Sequence, residues 1–149
     1  MLHIRALSKQ YLTPEGPLTV IHDLDLDLTA GSSLALMGES GSGKSTLLHL
    51  IAGLDQADGG SIQLAGDRLP AAPEAARAVW RRERLGLVFQ QFNLIPALDV
   101  AANLDFQARL NGRHDPQWSA RLVDRLGLGS LLQRYPEQLS GGQQQRVAI

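Results

Sequence analysis

Between Ser33 and Leu54 the chain runs apolar, then glycine-rich, then helical, and that succession constrains the fold more than any other feature. Ser33-Leu34-Ala35-Leu36-Met37 is nearly all apolar, the pattern of a central strand covered on both faces. Gly38-Glu39-Ser40-Gly41-Ser42-Gly43-Lys44-Ser45-Thr46 follows at once. Lys44 to Leu54 then carries Leu47, Leu48, Leu50 and Ile51, which predicts a helix with a broad apolar face and Gly53 as its end signal. Strand, glycine loop and helix in that order predict an α/β fold of the P-loop NTPase class.

The spacing inside the loop is what a triphosphate requires. Gly38, Gly41 and Gly43 let the backbone curl so that successive N–H groups point inward at phosphate oxygens. The helix starting near Lys44 adds its positive N-terminal end. Lys44 places a mobile cation on the β- and γ-phosphates, Ser45 offers a hydroxyl to Mg²⁺, and Thr46 supplies a further hydroxyl near the α-phosphate. The same spacing arises by chance in about half a percent of chains of average composition and this length. A ligand-free glycine turn is therefore the poorer explanation.

Elsewhere the pattern is mixed. Leu2 to Tyr11 reads as a strand and Pro14-Glu15-Gly16-Pro17 as a turn. Leu24, Leu26 and Leu28 alternate with Asp23, Asp25 and Asp27, the period of a strand with one buried face. Asp58-Gly59-Gly60 reads as a turn before a short strand over 61–65. A helix is expected over 71–84 with Pro73 near its start, and Leu85-Gly86-Leu87-Val88-Phe89 reads as another buried strand. From Asp99 to Leu132, Ala101, Leu104, Ala108, Leu122, Val123 and Leu126 suggest helices broken at Asn111-Gly112 and Pro116.

Lys plus Arg number 14 against 15 Asp plus Glu, so the net charge is −1, without the basic excess of a nucleic-acid binder. The absence of cysteine excludes disulfides and Cys-ligated zinc. No stretch approaches the roughly 20 apolar residues of a membrane span, so any membrane role is expected through a partner.

Leu139-Ser140-Gly141-Gly142-Gln143 is a second glycine-rich motif, continued by Gln144-Gln145-Arg146-Val147-Ala148-Ile149. By itself Ser140 is a natural N-cap for a helix over 141–149. That explains a serine, but not two glycines and a glutamine run in a chain that also has a phosphate loop. Taken with Val88-Phe89-Gln90, with Phe92-Asn93-Leu94-Ile95-Pro96 and with Ser8-Lys9-Gln10-Tyr11, the sequence from Leu2 to Ile149 resembles the ATP-binding subunits of ABC transporters. Leu139 to Gln143 is similar to that family's signature, Gln90 to the glutamine of its Q-loop, and Tyr11 to its adenine-stacking aromatic. Gly16-Pro17-Leu18-Thr19-Val20-Ile21 and Leu48-His49-Leu50-Ile51-Ala52-Gly53-Leu54-Asp55 resemble the branch of bacterial lipoprotein-releasing and macrolide-exporting ATPases.

The resemblance implies an ABC-type ATPase core with an N-terminal antiparallel β part and a helical insertion. It divides the chain into an ATP-binding core over 1–94, a helical subdomain over 95–139 and the start of the signature helix over 140–149. The implied ligands are ATP and Mg²⁺. Tyr11 would stack on adenine, although an aromatic on a strand can simply pack. Gln90 would contact Mg²⁺ or the attacking water, with Gln91 beside it as the alternative. Ser140, Gly141, Gly142 and Gln143 would bind the γ-phosphate of ATP held by a second ATP-binding subunit, so that ATP joins two copies head to tail. The helical insertion would dock on a transmembrane permease subunit, which places the protein at the cytoplasmic face of the inner membrane.

The family's pattern continues past the signature into a buried strand ending in a metal-positioning aspartate and a catalytic glutamate, then a switch histidine. Leu24-Asp25 and Leu54-Asp55 stand in the wrong context to replace the carboxylates. His3, His22, His49 and His114 precede the signature and read as ordinary. The C-terminal part is thus expected to be missing here, and the chain as given is expected to bind ATP without hydrolysing it. It is also expected to leave Leu34 to Met37 as an exposed apolar edge and to be marginally stable. The competing reading is an ATP-binding remnant without turnover. A soluble ABC protein of DNA repair or translation fits this compact, near-neutral chain less well.

Overall fold

The computed structural model describes residues 1–71 and 73–149. The helix expected over 71–84 includes residue 72, which lies outside the described residues. The chain forms two compact units, Met1–Gly86 and Leu87–Ile149.

The first unit is built on a four-stranded antiparallel sheet in the order β2-β1-β3-β4. The strands are β1 (Leu2–Thr13), β2 (Gly16–Leu28), β3 (Gly59–Leu64) and β4 (Asp67–Arg68). β1 starts where expected and carries on through Thr13, and the alternation in β2 holds: Leu24, Leu26 and Leu28 are half-buried while Asp23, Asp25 and Asp27 are exposed. Helix α1 (Lys44–Ile51) lays Leu47 and Leu50 against Leu2, Ile4, Leu7, Ile21 and Ile62. Ile4, Leu7 and Leu50 are fully buried, each contributing about 1.5–3 kcal/mol by removal from water. Leu48 points away, so the helix's apolar face is narrower than its sequence suggests.

Both long strands carry a bulge. The β1–β2 register shifts between Ile4 and Leu7 and again before Lys9, and Ala6 and Asp23 have φ of 48°. A bulge strands backbone donors. Here the exposed carboxylate of Asp25 accepts the Ala6 N–H at 2.7 Å, and the Ser8 hydroxyl accepts the Asp23 N–H at 3.1 Å. Gly59 and Gly60, expected in a turn, open β3 instead.

Two expected strands are not formed. Residues 33–37 and 85–89 adopt no strand, and residues 33–37 are all exposed, with Leu34 at 52% and Met37 at 86%. A strand exists only with a hydrogen-bonded neighbour, and among the described residues none pairs with either run. Met37, Leu36, Leu24 and Leu47 instead line an open groove beside the glycine loop. The apolar surface expected to be exposed at Leu34 to Met37 is exposed, though as an unpaired segment and not as the edge of a strand. α2 (Glu74–Arg84) follows Pro73, with Glu74 gathering Arg77 and Arg81 at its start.

The second unit is helical. α3 (Val100–Leu110) begins at Asp99, whose carboxylate caps the Ala102 N–H at 2.8 Å, and stops at Asn111-Gly112. α4 (Pro116–Arg125) has Asp115 as its cap and Pro116 at its first position, where a missing N–H costs nothing. Two single-turn 3₁₀ segments, Gly129–Leu131 and Pro136–Gln138, lead to α5 (Gly141–Ala148). Val100, Leu128, Leu131, Leu139 and Val147 form its core.

Candidate nucleotide-binding site

The glycine loop takes the conformation that its glycines permit. Gly38, Gly41 and Gly43 have φ of 152°, 82° and 85°. A Cβ on Gly43 would lie 2.9 Å from Val20 Cγ1, and one on Gly38 would lie 2.9 Å from Ser42 Oγ. Gly43, with the Val20 carbonyl oxygen also 3.1 Å away, excludes a side chain by space as well as by dihedral angle, whereas at Gly38 the Ser42 hydroxyl can turn aside and the dihedral angle is the constraint. Gly43 is the residue before α1, and no side chain caps that helix. The first-turn N–H groups of α1 are thus offered to an acceptor from outside, with the helix's positive end behind them.

Lys44 leans back across this mouth. Its ammonium donates to the carbonyls of Gly38 at 2.8 Å and Glu39 at 2.5 Å, and to Ser42 Oγ at 3.2 Å. A lysine ammonium held at the mouth of a glycine loop, beside an uncapped helix start, is placed to meet a polyanion. Ser45 is exposed on the first turn, and Thr46 is half-buried behind it.

Tyr11 stands on the same unit, near the end of β1, with 37% of its surface open. Its hydroxyl donates to Asp55 Oδ2 at 2.6 Å. Asp55 Oδ1 accepts from Lys9 Nζ at 3.0 Å and from the Gln56 N–H at 2.6 Å. Lys9 is buried, donates a second bond to the Gln56 carbonyl at 2.7 Å, and sets its ammonium 4.9 Å from the Tyr11 ring centroid. The bond to Asp55 raises the Tyr11 hydroxyl above its usual pKa, helped by partial desolvation and opposed by the Thr46 hydroxyl. Tyr11 therefore stays a donor at neutral pH. Desolvation works to raise the Asp55 carboxyl, but the hydrogen bonds from Tyr11, Lys9 and the Gln56 N–H outweigh it and hold the group below the ordinary carboxylate range. Sequence reasoning singled out Tyr11 and missed Lys9 and Asp55. The one signal was a lysine two residues before the tyrosine, hence on the same strand face.

The remaining expected site residues lie in the second unit. Gln90 and Gln91 are both exposed in a turn, followed by Phe92 and Asn93 at φ of 60° and 49°. Two consecutive left-handed residues other than glycine are uncommon, and nothing in the sequence flagged them. Ser140 caps α5: its hydroxyl accepts the Gln143 N–H at 3.3 Å and Gln143 Oε1 accepts the Ser140 N–H at 2.8 Å. This reciprocal box was half visible in the sequence, which marked Ser140 as a cap. Ser140, Gly141 and Gly142 are exposed, and added Cβ atoms on either glycine would meet nothing within 4 Å.

Comparison with known proteins identifies the family. A family model described as ABC transporter matches residues 21–149. The chain is 40% identical over 152 residues to the lipoprotein-releasing system ATP-binding protein LolD 1 of Rhodopirellula baltica, covering 100% of this chain and 66% of that protein. It is 41% identical over 152 residues to the uncharacterized ABC transporter ATP-binding protein YbbA of Escherichia coli (strain K12), covering 100% of this chain and 67% of that one. It superposes with a TM-score of 0.88, at 31% identity, on a dimeric post-hydrolysis state of the ATP-binding cassette MJ0796 bound to ADP and Pi, covering 99% of this chain and 67% of the other. The chain belongs to the ABC transporter family, with the fold of its ATP-binding cassette, and spans about two thirds of the length of these relatives.

Proposed function

We propose that this chain is the ATP-binding part of an ABC transporter subunit that couples ATP to export or extraction of a substrate by a membrane partner. The observation that carries the reading is the start of α1. A left-handed Gly43 precedes a helix without a side-chain cap, and the Lys44 ammonium lies across the mouth of the loop. Backbone donors of the loop 38–46 hold the β- and γ-phosphates, Lys44 neutralises them, and the Tyr11 ring takes the adenine. Ser45 would offer one hard hydroxyl oxygen to Mg²⁺, an ion that takes oxygen ligands and keeps much of its hydration. The ion would supply charge to shield the phosphates. Gln90 as a further metal or water contact rests on the sequence resemblance.

Ser140, Gly141 and Gly142, exposed at the start of α5, with the half-buried Gln143 behind them, are the groups offered to the ATP of a second ATP-binding subunit. This supports a head-to-tail dimer across nucleotide. No helix among the described residues is long and apolar enough to cross a membrane. Attachment to the cytoplasmic face of the inner membrane is proposed through a transmembrane permease subunit, docked through the helices over 95–139. Hydrolysis is proposed for the full-length protein.

Calorimetric titration of the full-length protein with ATP and Mg²⁺ tests the reading. Lys44→Ala removes a charged donor to phosphate and should weaken binding about 10- to 100-fold. Unchanged affinity would take the loop out of the site.

A further inference from the structure

Tyr11 is held at two places on its ring. The hydroxyl at the rim is tied to Asp55 Oδ2 at 2.6 Å, and the ammonium of Lys9 lies over one face, 4.9 Å from the centroid. Lys9 and Tyr11 are two apart on β1 and so share a face of the strand. Asp55 comes from the segment that follows α1, whose amides fold back on the helix: the Leu54 N–H donates to the His49 carbonyl at 2.9 Å. Three residues on, Asp58 Oδ2 accepts the Gln10 N–H at 2.6 Å, and the Asp58 N–H donates to the Ser8 carbonyl at 3.0 Å. The stretch from Asp55 to Asp58 therefore fastens Ser8, Lys9, Gln10 and Tyr11 in turn.

A buried lysine is expensive unless it is paired and fully hydrogen-bonded. Lys9 is paired with Asp55 and donates a second bond to the Gln56 carbonyl, with the Tyr11 ring beside its ammonium, which leaves the second oxygen of Asp55 aimed at Tyr11. We propose that Asp55 is a positioning residue for base recognition: with Lys9 on one face of the ring and its own carboxylate on the hydroxyl, it fixes Tyr11 as a platform whose other face receives the adenine. The inference rests on the reading that Tyr11 stacks on the base. Asp55 touches no part of the nucleotide. It acts by fixing the ring, so that ordering the platform no longer has to be offset at the moment of binding.

The test compares two probes in calorimetric titrations of the full-length protein: ATP with Mg²⁺, and inorganic tripolyphosphate with Mg²⁺, which lacks the base. The readout is the ratio of the two affinities, which general damage to the fold does not move. Tyr11→Phe keeps the ring and removes the bond to Asp55. Asp55→Asn removes the charge while keeping shape and an acceptor for Lys9. Each should lower the ratio about fivefold, the scale of one hydrogen bond, with tripolyphosphate binding unchanged. Tyr11→Ala should lower it further. If Tyr11→Ala lowers the ratio but Tyr11→Phe and Asp55→Asn leave it intact, stacking stands and the positioning role of Asp55 is overturned. If both probes weaken together in Asp55→Asn, its role is structural and the inference is again overturned. If Tyr11→Ala leaves the ratio unchanged, the stacking reading fails first and the inference with it.

Discussion

Gly60 lies so close to Ala6 that a Cβ added to it would sit 2.4 Å from the Ala6 carbonyl oxygen, with the Arg5 carbonyl 2.5 Å away. The crowding is backbone on backbone, at the point where β1 bulges and its register with β3 shifts between Arg5 and Ser8. Gly60 also has φ of 87°. Gly60→Ala should therefore destabilise the protein by about 3 kcal/mol or more, combining left-handed strain with an overlap that no rotamer relieves. Gly59 is the control, since its added Cβ would meet Ser8 Cβ at an ordinary 3.9 Å. Gly59→Ala should cost about 1 kcal/mol or less. Denaturant melts of the two variants check the difference, and equal losses would contradict the close approach.

The core of the first unit makes a second contrast, within α1. Leu50 is fully buried and Leu48 is 50% exposed, two residues apart on the same short helix. Leu50→Ala should cost about 2–5 kcal/mol from lost burial and the cavity left behind. Leu48→Ala should change stability by about 0.5 kcal/mol or less. Chemical denaturation measures both, and a large loss at Leu48 would mean that its face is covered.

These contrasts also mark how far the sequence could be read. Period-two alternation in Leu24, Leu26 and Leu28 named the buried face of β2, because one-sided burial leaves a one-sided pattern. The glycine loop, α1 and the Ser140 cap were legible because each depends on residues within a few positions. The runs at 33–37 and 85–89 were misread as formed strands, since a uniformly apolar run records a need for neighbours without saying whether they are present. Asp55 and Asn103 were invisible for a related reason, and Lys9 showed only in its spacing from Tyr11. Asn103 accepts the Ile95 N–H at 2.8 Å and donates to the Leu98 carbonyl at 2.8 Å, bracing the loop ahead of α3. Such pairings depend on tertiary placement and leave no periodic trace. The bulge in β1, with Asp25 serving Ala6 from the neighbouring strand, belongs to the same class.

Acid should act on the second unit through Asp105. Partial desolvation works to raise its carboxyl, but Ser119 donating at 2.6 Å, with Arg109 and His114 beside it, leaves the pKa below the ordinary carboxylate value. A depressed folded-state pKa means that ionised Asp105 stabilises the fold above about pH 4, and that this contribution is lost as pH falls through the lower folded value. Asp105→Asn should therefore be less stable than the parent at neutral pH, and the gap should close on acidification below about pH 4. Melting temperatures from pH 7 down to pH 2.5 test the sign, and a gap that widens in acid would refute it.

Ser140 has a measurable structural role and a proposed ligand role, and three substitutions separate them. As the cap of α5 it accepts the Gln143 N–H. Ser140→Ala should cost about 1 kcal/mol of stability, whereas Asn and Asp cap helices as well as serine does and should cost little. The proposed contact with the γ-phosphate of a second subunit's ATP orders the same variants differently. Asn keeps a polar group at the helix start but not the hydroxyl, and Asp places a negative charge against phosphate. ATP-driven dimerisation, followed by analytical ultracentrifugation of the full-length protein, should fall from serine to asparagine and be lost with aspartate. Retention of the dimer in Ser140→Asp would leave Ser140 with its cap alone. Loss of the dimer in a variant whose melt is unchanged would place the phosphate at the start of α5.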